Sequence, residues 1–253
     1  MELRIGTSGY SYRHWRGAFY PAGLSPGKWL RYYAGVFDTV EINATFYRLP
    51  DAERLLSWRE KTPDDFLFVV KASRLITHVH RLKDCAEALH TFLERVSLLA
   101  PKLGPVLYQL PPSLHRDDGL LRAFLDLLPE TFTHVFEFRH ESWYADAVRA
   151  MLAKKGAGFC IHDHGGRETP LWVTGPLLYA RFHGIRRGVC YDETDLQEKA
   201  ARLLAAARES GVGRLYAYFN NDAAACAPRD AQILRAALQA MNAPAGKNNS
   251  LEP

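Results

Sequence analysis

Four absences limit the classes of protein to which this chain can belong. No apolar run approaches the roughly 20 residues that span a bilayer, because charged residues, Gly or Pro interrupt every candidate. The four cysteines form no CxxC pair, and the amino terminus has no charged-then-apolar signal segment. GxSxG, GxxxxGKS/T and GxGxxG motifs are also missing. We therefore expect a cytoplasmic protein without a membrane segment, and serine hydrolysis and nucleotide hydrolysis lose support.

What is present is the composition of an ordinary globular protein. Of the 253 residues, 47% are hydrophobic and 24% are charged. The net charge of +4 permits an anionic ligand but falls well short of that of a nucleic-acid coat protein. No repeat or linker divides residues 1–241, which we expect to form a single domain. Residues 242–253 are expected to be a disordered tail, and Leu251-Glu252 is consistent with a vector-derived end.

Short β-rich runs alternate with longer segments of helical periodicity, which indicates parallel strands joined by helices. Eight strands of four to six residues predict a TIM (β/α)8 barrel. They span residues 3–7, 39–42, 67–71, 105–109, 135–138, 158–162, 177–182 and 214–219. Only residues 163–176 separate the sixth and seventh strands, and they show no helical pattern. The helix of this connection, the sixth of the barrel, is therefore predicted to be missing or vestigial.

Two helices carry recognisable end signals. Asp84 and Glu87 are spaced as a capping pair ahead of a helix whose apolar face runs to residue 99. Ser142 is predicted to cap a second helix, which should end at Gly156.

The active site of such a barrel lies at the carboxyl ends of its strands, and here those ends are polar. Residues two apart in a strand share a face, so Glu41, Glu137 and His183 are expected to enter one pocket. We expect Glu41 or Glu137 to move a proton, with His183 as the partner acid. The alternative is purely structural ion pairing inside the barrel. Substrate or anion binding is predicted for Asn43, Lys71, Arg139, His140, Arg181, Asn220, Asp222, Ser8, Tyr10 and Trp15.

The loop after the first strand, residues 8–17, combines three aromatic and three basic side chains. This mixture suits the stacking of a flat ring beside an anionic group. In the alternative interpretation, Trp15 and Phe19 pack over the barrel while Arg13 and Arg16 face water.

Four histidines raise the question of a metal site. His78 and His80 follow the third strand, and His162 and His164 end the sixth. Their spacing is not specific to a metal site, and surface histidines are common. We expect no metal and no cofactor, and a divalent metal stays an alternative.

Four ordered segments resemble the YecE-like domain-of-unknown-function family. They are residues 4–12 with Trp15, residues 40–47, residues 137–140 with Ser142-Trp143, and residues 218–222. The resemblance covers residues 3 to about 240 and implies a TIM-barrel fold. It implies no chemistry, so Glu41, Asn43, Glu137, Arg139, His140, His183, Asn220 and Asp222 transfer only as motif positions.

Two functions remain open at this point. The leading hypothesis is an enzyme that acts by acid/base chemistry, as a hydrolase, lyase or isomerase, on a small molecule bearing a phosphate or carboxylate. The alternative is a nucleic-acid-binding or repair-related protein, similar in fold to endonuclease IV, in which the first loop and Arg186-Arg187 grip a base or the backbone.

Overall fold

The computed structural model describes residues 1–166, 168–184 and 189–243. Its eight strands all pair in parallel, in the order β1-β8-β7-β6-β5-β4-β3-β2. They are β1 (Glu2–Thr7), β2 (Thr39–Ile42), β3 (Leu67–Lys71), β4 (Leu103–Gln109), β5 (His134–Glu137), β6 (Gly158–His162), β7 (Leu178–Phe182) and β8 (Arg214–Phe219). The predicted barrel is confirmed, and every strand end lies within two residues of its predicted position.

The seam between β1 and β2 nearly closes the sheet into a barrel. Ser8 and Glu41 form a single parallel bridge there, and the Gly9 amide donates to the Glu41 carbonyl at 2.7 Å. Elsewhere in the seam, the buried hydroxyl of Tyr33 replaces backbone pairing. It accepts from the Thr7 amide at 3.0 Å and donates to the Thr39 carbonyl at 3.1 Å. A helix side chain thus supplies hydrogen bonds that a strand would otherwise make.

Helices cover the outside of the barrel. They are α1 (Trp29–Ala34), α2 (Ala44–Tyr47), α3 (Ala52–Glu60), α4 (Ala86–Val96), α5 (Asp118–Leu127), α6 (Asp146–Lys155), α7 (Glu193–Glu209) and α8 (Cys226–Asn242), with a π-helical segment at Leu75–Val79. Between β6 and β7, the described residues hold only a 3-10 turn at His164–Gly166. The predicted loss of this helix is confirmed. Arg167, in the same connection, lies outside the described residues.

Strand alternation produces two separate apolar regions. The larger one lies between the sheet and the helices and includes Trp29, Trp58 and Trp143. The smaller one fills the barrel lumen with side chains from β3 to β8: Val69, Leu107, Val135, Cys160, Leu177, Tyr179, Tyr216 and Tyr218. Because this layer is packed, the polar side chains nearer the carboxyl ends of the strands lie on a closed apolar base.

A disulfide joins Cys190, ahead of α7, to Cys226, the first residue of α8. The sequence did not predict this pairing. Cys85 and Cys160 are free and buried. No helix in the described ranges is long and apolar enough to cross a membrane. Residues 244–253 of the predicted tail, like Arg186-Arg187, lie outside the description.

Candidate functional site

Arg181 is the centre of the polar layer in the barrel. It is the penultimate residue of β7, points into the lumen and is only 1% exposed. Its Nη2 lies 2.7 Å from Oε1 of Glu41, and its Nη1 pairs with Oε2 of Glu137. Both carboxylates are completely buried. One guanidinium therefore joins β7 to β2 and β5 across the barrel.

The Glu41 carboxylate is fully engaged by neighbouring donors. Besides Arg181, it accepts from the Ser8 hydroxyl at 2.6 Å and from the Tyr179 hydroxyl at 2.6 Å. Burial and the nearby Glu41 charge raise the pKa of Tyr179 well above its usual value, so this phenol keeps its proton. Glu41 is thus held by four donor contacts from three side chains.

Glu137 is paired on both of its oxygens. Oε1 contacts Nε of Arg139, which lies two residues further along the chain on the same face, and Oε2 contacts Arg181. Burial raises the pKa of the Glu137 carboxyl, but the two guanidinium groups outweigh burial and hold that pKa well below its usual value. Glu137 is therefore ionised.

Arg181, Glu41, Glu137, Arg139 and Lys71 form the cluster at the barrel mouth. His183 lies at the rim of this cluster, just after β7. Its Nε2 is 3.0 Å from Nη2 of Arg139, and the side-chain amide of Asn220 is 3.1 Å from Nδ1. Burial and then the charge of Arg181 lower the pKa of His183 well below its usual value, against the opposing effect of Glu137. The ring is neutral, so Nε2 accepts a hydrogen bond from Arg139.

Asn43 lies beside Asn220 at the mouth of the barrel. Its Nδ2 is 3.4 Å from the Ser8 carbonyl and 3.5 Å from Oδ1 of Asn220. Its Oδ1 is buried without a hydrogen-bond donor among the described residues. A buried acceptor of this kind needs a donor from water or from a ligand.

Lys71 ends β3 on the other side of the cluster. Its Nζ donates to Oε1 of Gln109 at 2.6 Å and lies 4.0 Å from the centre of the Phe46 ring. No carboxylate of the described residues is within ion-pair distance of Nζ. Burial, followed by the charge of Arg181, lowers the pKa of Lys71 to about 8, although Glu137 opposes this shift. Lys71 is the cation of the cluster whose charge is least compensated.

Four predicted binding residues lie outside this cluster. Trp15 is fully buried, packs against Tyr12 and Tyr20, and its Nε1 donates to the Asp222 carbonyl at 3.3 Å. Trp15 is therefore a packing residue, as the alternative interpretation of the first loop had it. Asp222 faces the same loop, 3.4 Å from Nε2 of the His14 side chain.

Tyr10 and His140 also face away from Arg181. The Tyr10 phenol lies near Arg54 and Trp58 of α3, and burial raises its pKa. The ring of His140 stacks on that of His115 with 3.9 Å between centroids, and its Nδ1 contacts the Ser142 hydroxyl. Neither side chain contacts the carboxylates of the barrel.

The histidines considered for metal binding do not converge. His162 bonds through Nε2 to the Phe138 carbonyl at 2.8 Å. In residues 1–166, 168–184 and 189–243, the group of three metal-ligating side chains that comes together is Cys190, Cys226 and Asp230. Two of these are joined as a disulfide, and the group lies beside α8 rather than in the barrel mouth.

Two contributors to the cluster were missing from the predicted set. Tyr179 precedes Arg181 by two residues on β7, so the same alternation that placed Arg181 in the lumen could have identified it. Gln109 closes β4 and accepts from Lys71. Its position at a strand end was visible in the sequence, but a neutral amide gave no sign of its partner.

The DUF72 family, described as a protein family of unknown function, matches residues 4–252. The chain belongs to the DUF72 family. Curated relatives include YecE of Escherichia coli K12, 37% identical over 164 residues, and YunF of Bacillus subtilis, 27% identical over 151 residues. The match to YecE covers 62% of this chain and spans 58% of the length of YecE. The predicted resemblance to the YecE-like family is confirmed.

Solved structures of DUF72 proteins share the whole barrel. A DUF72 protein of Thermotoga maritima superposes with a TM-score of 0.85 at 28% identity, covering 94% of this chain and 100% of the other. A DUF72 protein of Enterococcus faecalis gives a TM-score of 0.80 at 20% identity over 94% and 95% of the two chains. The second likeness supports the fold alone.

Proposed function

We propose that this DUF72 protein is an enzyme that binds a small anionic molecule at the carboxyl ends of its strands. One observation carries the proposal: the cluster, in which Arg181 and both carboxylates are buried and Lys71 and Arg139 are partly buried, contains three basic side chains and only two carboxylates. Arg181 and Arg139 pair with Glu41 and Glu137, and Lys71 has no anionic partner in the described structure. An uncompensated buried charge is costly, and a bound anion would compensate it.

The cluster has two parts, a rigid floor and a binding edge. The rigid floor of the site consists of three side chains that pair with one another and are buried from water: Arg181, Glu41 and Glu137. Lys71 and Arg139 form the cationic edge above it. Nη1 of Arg139 has no acceptor among the described residues, which leaves a donor for a carboxylate or phosphate oxygen.

The same geometry changes the proposed proton carrier. Glu137 is held in its charged form, which makes it a poor acid and a weak base. Lys71, with a pKa of about 8, exchanges its proton close to neutrality and is the better candidate. His183, held neutral, is proposed as an acceptor that orients Arg139 or a substrate hydroxyl. Asn43 Oδ1 offers a second acceptor to the same substrate.

We favour a small molecule over nucleic acid as the ligand. Base stacking requires an accessible aromatic side chain, and in the first loop Trp15 is fully buried while Tyr10 and Tyr12 are only partly exposed. We propose the cytoplasm as the compartment, and this proposal requires that Cys190 and Cys226, joined as a disulfide in the described structure, be reduced there.

Binding can be tested with malonate and its uncharged analogue malonamide, which differ chiefly in charge. Isothermal titration and thermal melting should show that malonate or phosphate binds and raises the melting temperature, because a ligand of the native state stabilises it. Malonamide should bind at least tenfold more weakly. Lys71→Met should weaken malonate binding by a similar factor.

Lys83→Met is the matched control, since Lys83 is an exposed lysine outside the cluster. Its malonate affinity should equal that of the wild type. Equal binding of malonate and malonamide, or malonate affinity unchanged by Lys71→Met, would remove the basis for an anion site at the barrel mouth.

A further inference from the structure

Lys71 combines three features of a lysine that reacts as a nucleophile. It lies at the carboxyl end of a barrel strand, it is partly buried, and it has no carboxylate partner among the described residues. Lysines that form imines in enzymes are activated by desolvation or by a neighbouring cation, and Lys71 has both. The charged groups that face it are Arg181, Glu137, Glu41 and Arg139, and His78 is a titratable group near it.

We propose that the substrate is an α-oxo acid or related carbonyl compound, and that Lys71 forms a covalent iminium with its carbonyl carbon. This inference rests on the proposed function, because it uses the same cationic edge to hold the substrate carboxylate. Arg139 binds the carboxylate, and Nζ of Lys71 is directed by the Gln109 amide oxygen and the Phe46 ring. Both neighbours are uncharged, so they favour the ammonium form of Lys71 less than a carboxylate partner would.

The covalent step balances without a cofactor. The neutral amine attacks the carbonyl carbon, its nitrogen loses one proton, and the carbonyl oxygen becomes the hydroxyl of a carbinolamine. Protonation of that hydroxyl and loss of water then leave a carbon–nitrogen double bond that carries one positive charge. No electron is gained or lost overall, and hydrolysis by water reverses the sequence.

Charge balance distinguishes an oxo acid from a simple aldehyde. With Arg139 and Arg181 balanced by Glu41 and Glu137, an iminium at Lys71 would leave one excess positive charge. A carboxylate on the same substrate cancels that charge within the cluster. A simple aldehyde would leave that charge unmatched, so charge balance favours an oxo acid over an aldehyde as the imine-forming substrate.

The test uses glyoxylate, the smallest aldehyde that bears a carboxylate, with cyanoborohydride to reduce any imine. The full-length protein is incubated at pH 7 and mapped by peptide mass spectrometry. The initial rate of adduct formation at Lys71 should exceed that at the exposed Lys61 by about 100-fold, because an ordinary lysine with a pKa of ~10.4 has far less free amine at this pH. Saturating malonate should slow labelling at Lys71 and leave Lys61 unchanged.

Acetaldehyde, which lacks the carboxylate, is the matched reagent control and should label Lys71 at least tenfold more slowly than glyoxylate does. Lys71→Arg keeps the positive charge but should form no adduct at this position, while circular dichroism confirms its fold. Labelling spread evenly over exposed lysines would overturn the inference. If malonate still binds in that case, the proposed anion site is retained and only the imine proposal is wrong. If malonate does not bind either, the anion site and the imine proposal are both wrong.

Discussion

A single guanidinium between two carboxylates determines the character of the barrel mouth. Burial lowers the pKa of Arg181, but Glu137 and Glu41 outweigh it and raise that pKa well above its usual value. The pairs are interdependent because each carboxylate is fully buried and would be uncompensated without its partners. The ion pairing that the sequence left as one alternative is therefore present, and the functional role that we propose falls to neighbouring residues of the same layer.

Glu137→Gln should destabilise the protein strongly. The substitution keeps the size of the side chain but leaves Arg181 and Arg139 with one carboxylate between them, and breaking a buried pair costs about 3–5 kcal/mol. The free energy of unfolding measured in urea should fall by that amount. Glu141→Gln, at an exposed position four residues away, should change it by less than about 0.5 kcal/mol. A Glu137→Gln protein as stable as the wild type would contradict the structural assignment of this pair.

At the level of single residues, strand periodicity predicted the charged side chains that share the lumen, although Tyr179 was missed. Glu41, Glu137 and Arg181 were all expected there, and the structure brings them together. Which carboxylate pairs with which cation could not be predicted, because that depends on the register between strands that are distant in sequence. Lys71 was expected to bind anions, but its separation from both carboxylates was not visible in the sequence.

Among the elements, the seam between β1 and β2 is the part of the barrel with the least backbone pairing. The Tyr33 hydroxyl compensates for this by bonding to Thr7 and Thr39 on the two strands. Gly6 allows this close approach: a Cβ at that position would lie 2.4 Å from the Thr39 carbonyl oxygen and 3.0 Å from the Tyr33 hydroxyl. Gly6 and Tyr33 thus contribute to barrel closure in addition to the Ser8–Glu41 bridge.

Tyr33→Phe should cost about 1–3 kcal/mol of unfolding free energy, because it leaves the Thr7 amide and the Thr39 carbonyl buried without a partner. Hydrogen exchange at the Thr7 amide should also accelerate. The adjacent Tyr32 is 37% exposed, and Tyr32→Phe should be nearly neutral. Equal stability of the two variants would show that the hydroxyl does not hold the seam.

Element ends illustrate where sequence prediction fails. Gly156 ends α6 in the left-handed conformation, as predicted. The predicted amino-terminal caps were wrong: Cys85 rather than Asp84 precedes α4, and Ser142 lies in a 3-10 turn before α6 begins at Asp146. A capping pair is a short pattern, and the tertiary packing of the preceding loop decides whether it is used. The Cys190–Cys226 disulfide was equally inaccessible, because 36 residues separate the two cysteines.

For the molecule as a whole, the (β/α)8 class and the missing helix between β6 and β7 followed from the alternation of strands and helices. That topology collects polar strand ends from distant parts of the chain into one mouth. Its consequence is a charge imbalance that no single segment reveals: Lys71 remains beside two guanidinium groups whose charges are already matched. On the basis of this imbalance, we propose an anion, covalently attached or not, as the ligand.

The titration of the Lys71 amine tests this imbalance most directly. In protein with labelled lysine, nuclear magnetic resonance should show Nζ of Lys71 titrating with a pKa of about 8, assigned by its loss in Lys71→Arg. Saturating malonate should raise that pKa, because a bound anion favours the ammonium form and proton and anion binding are linked. A pKa near the ordinary lysine value of ~10.4, unchanged by malonate, would contradict an anion site built around Lys71.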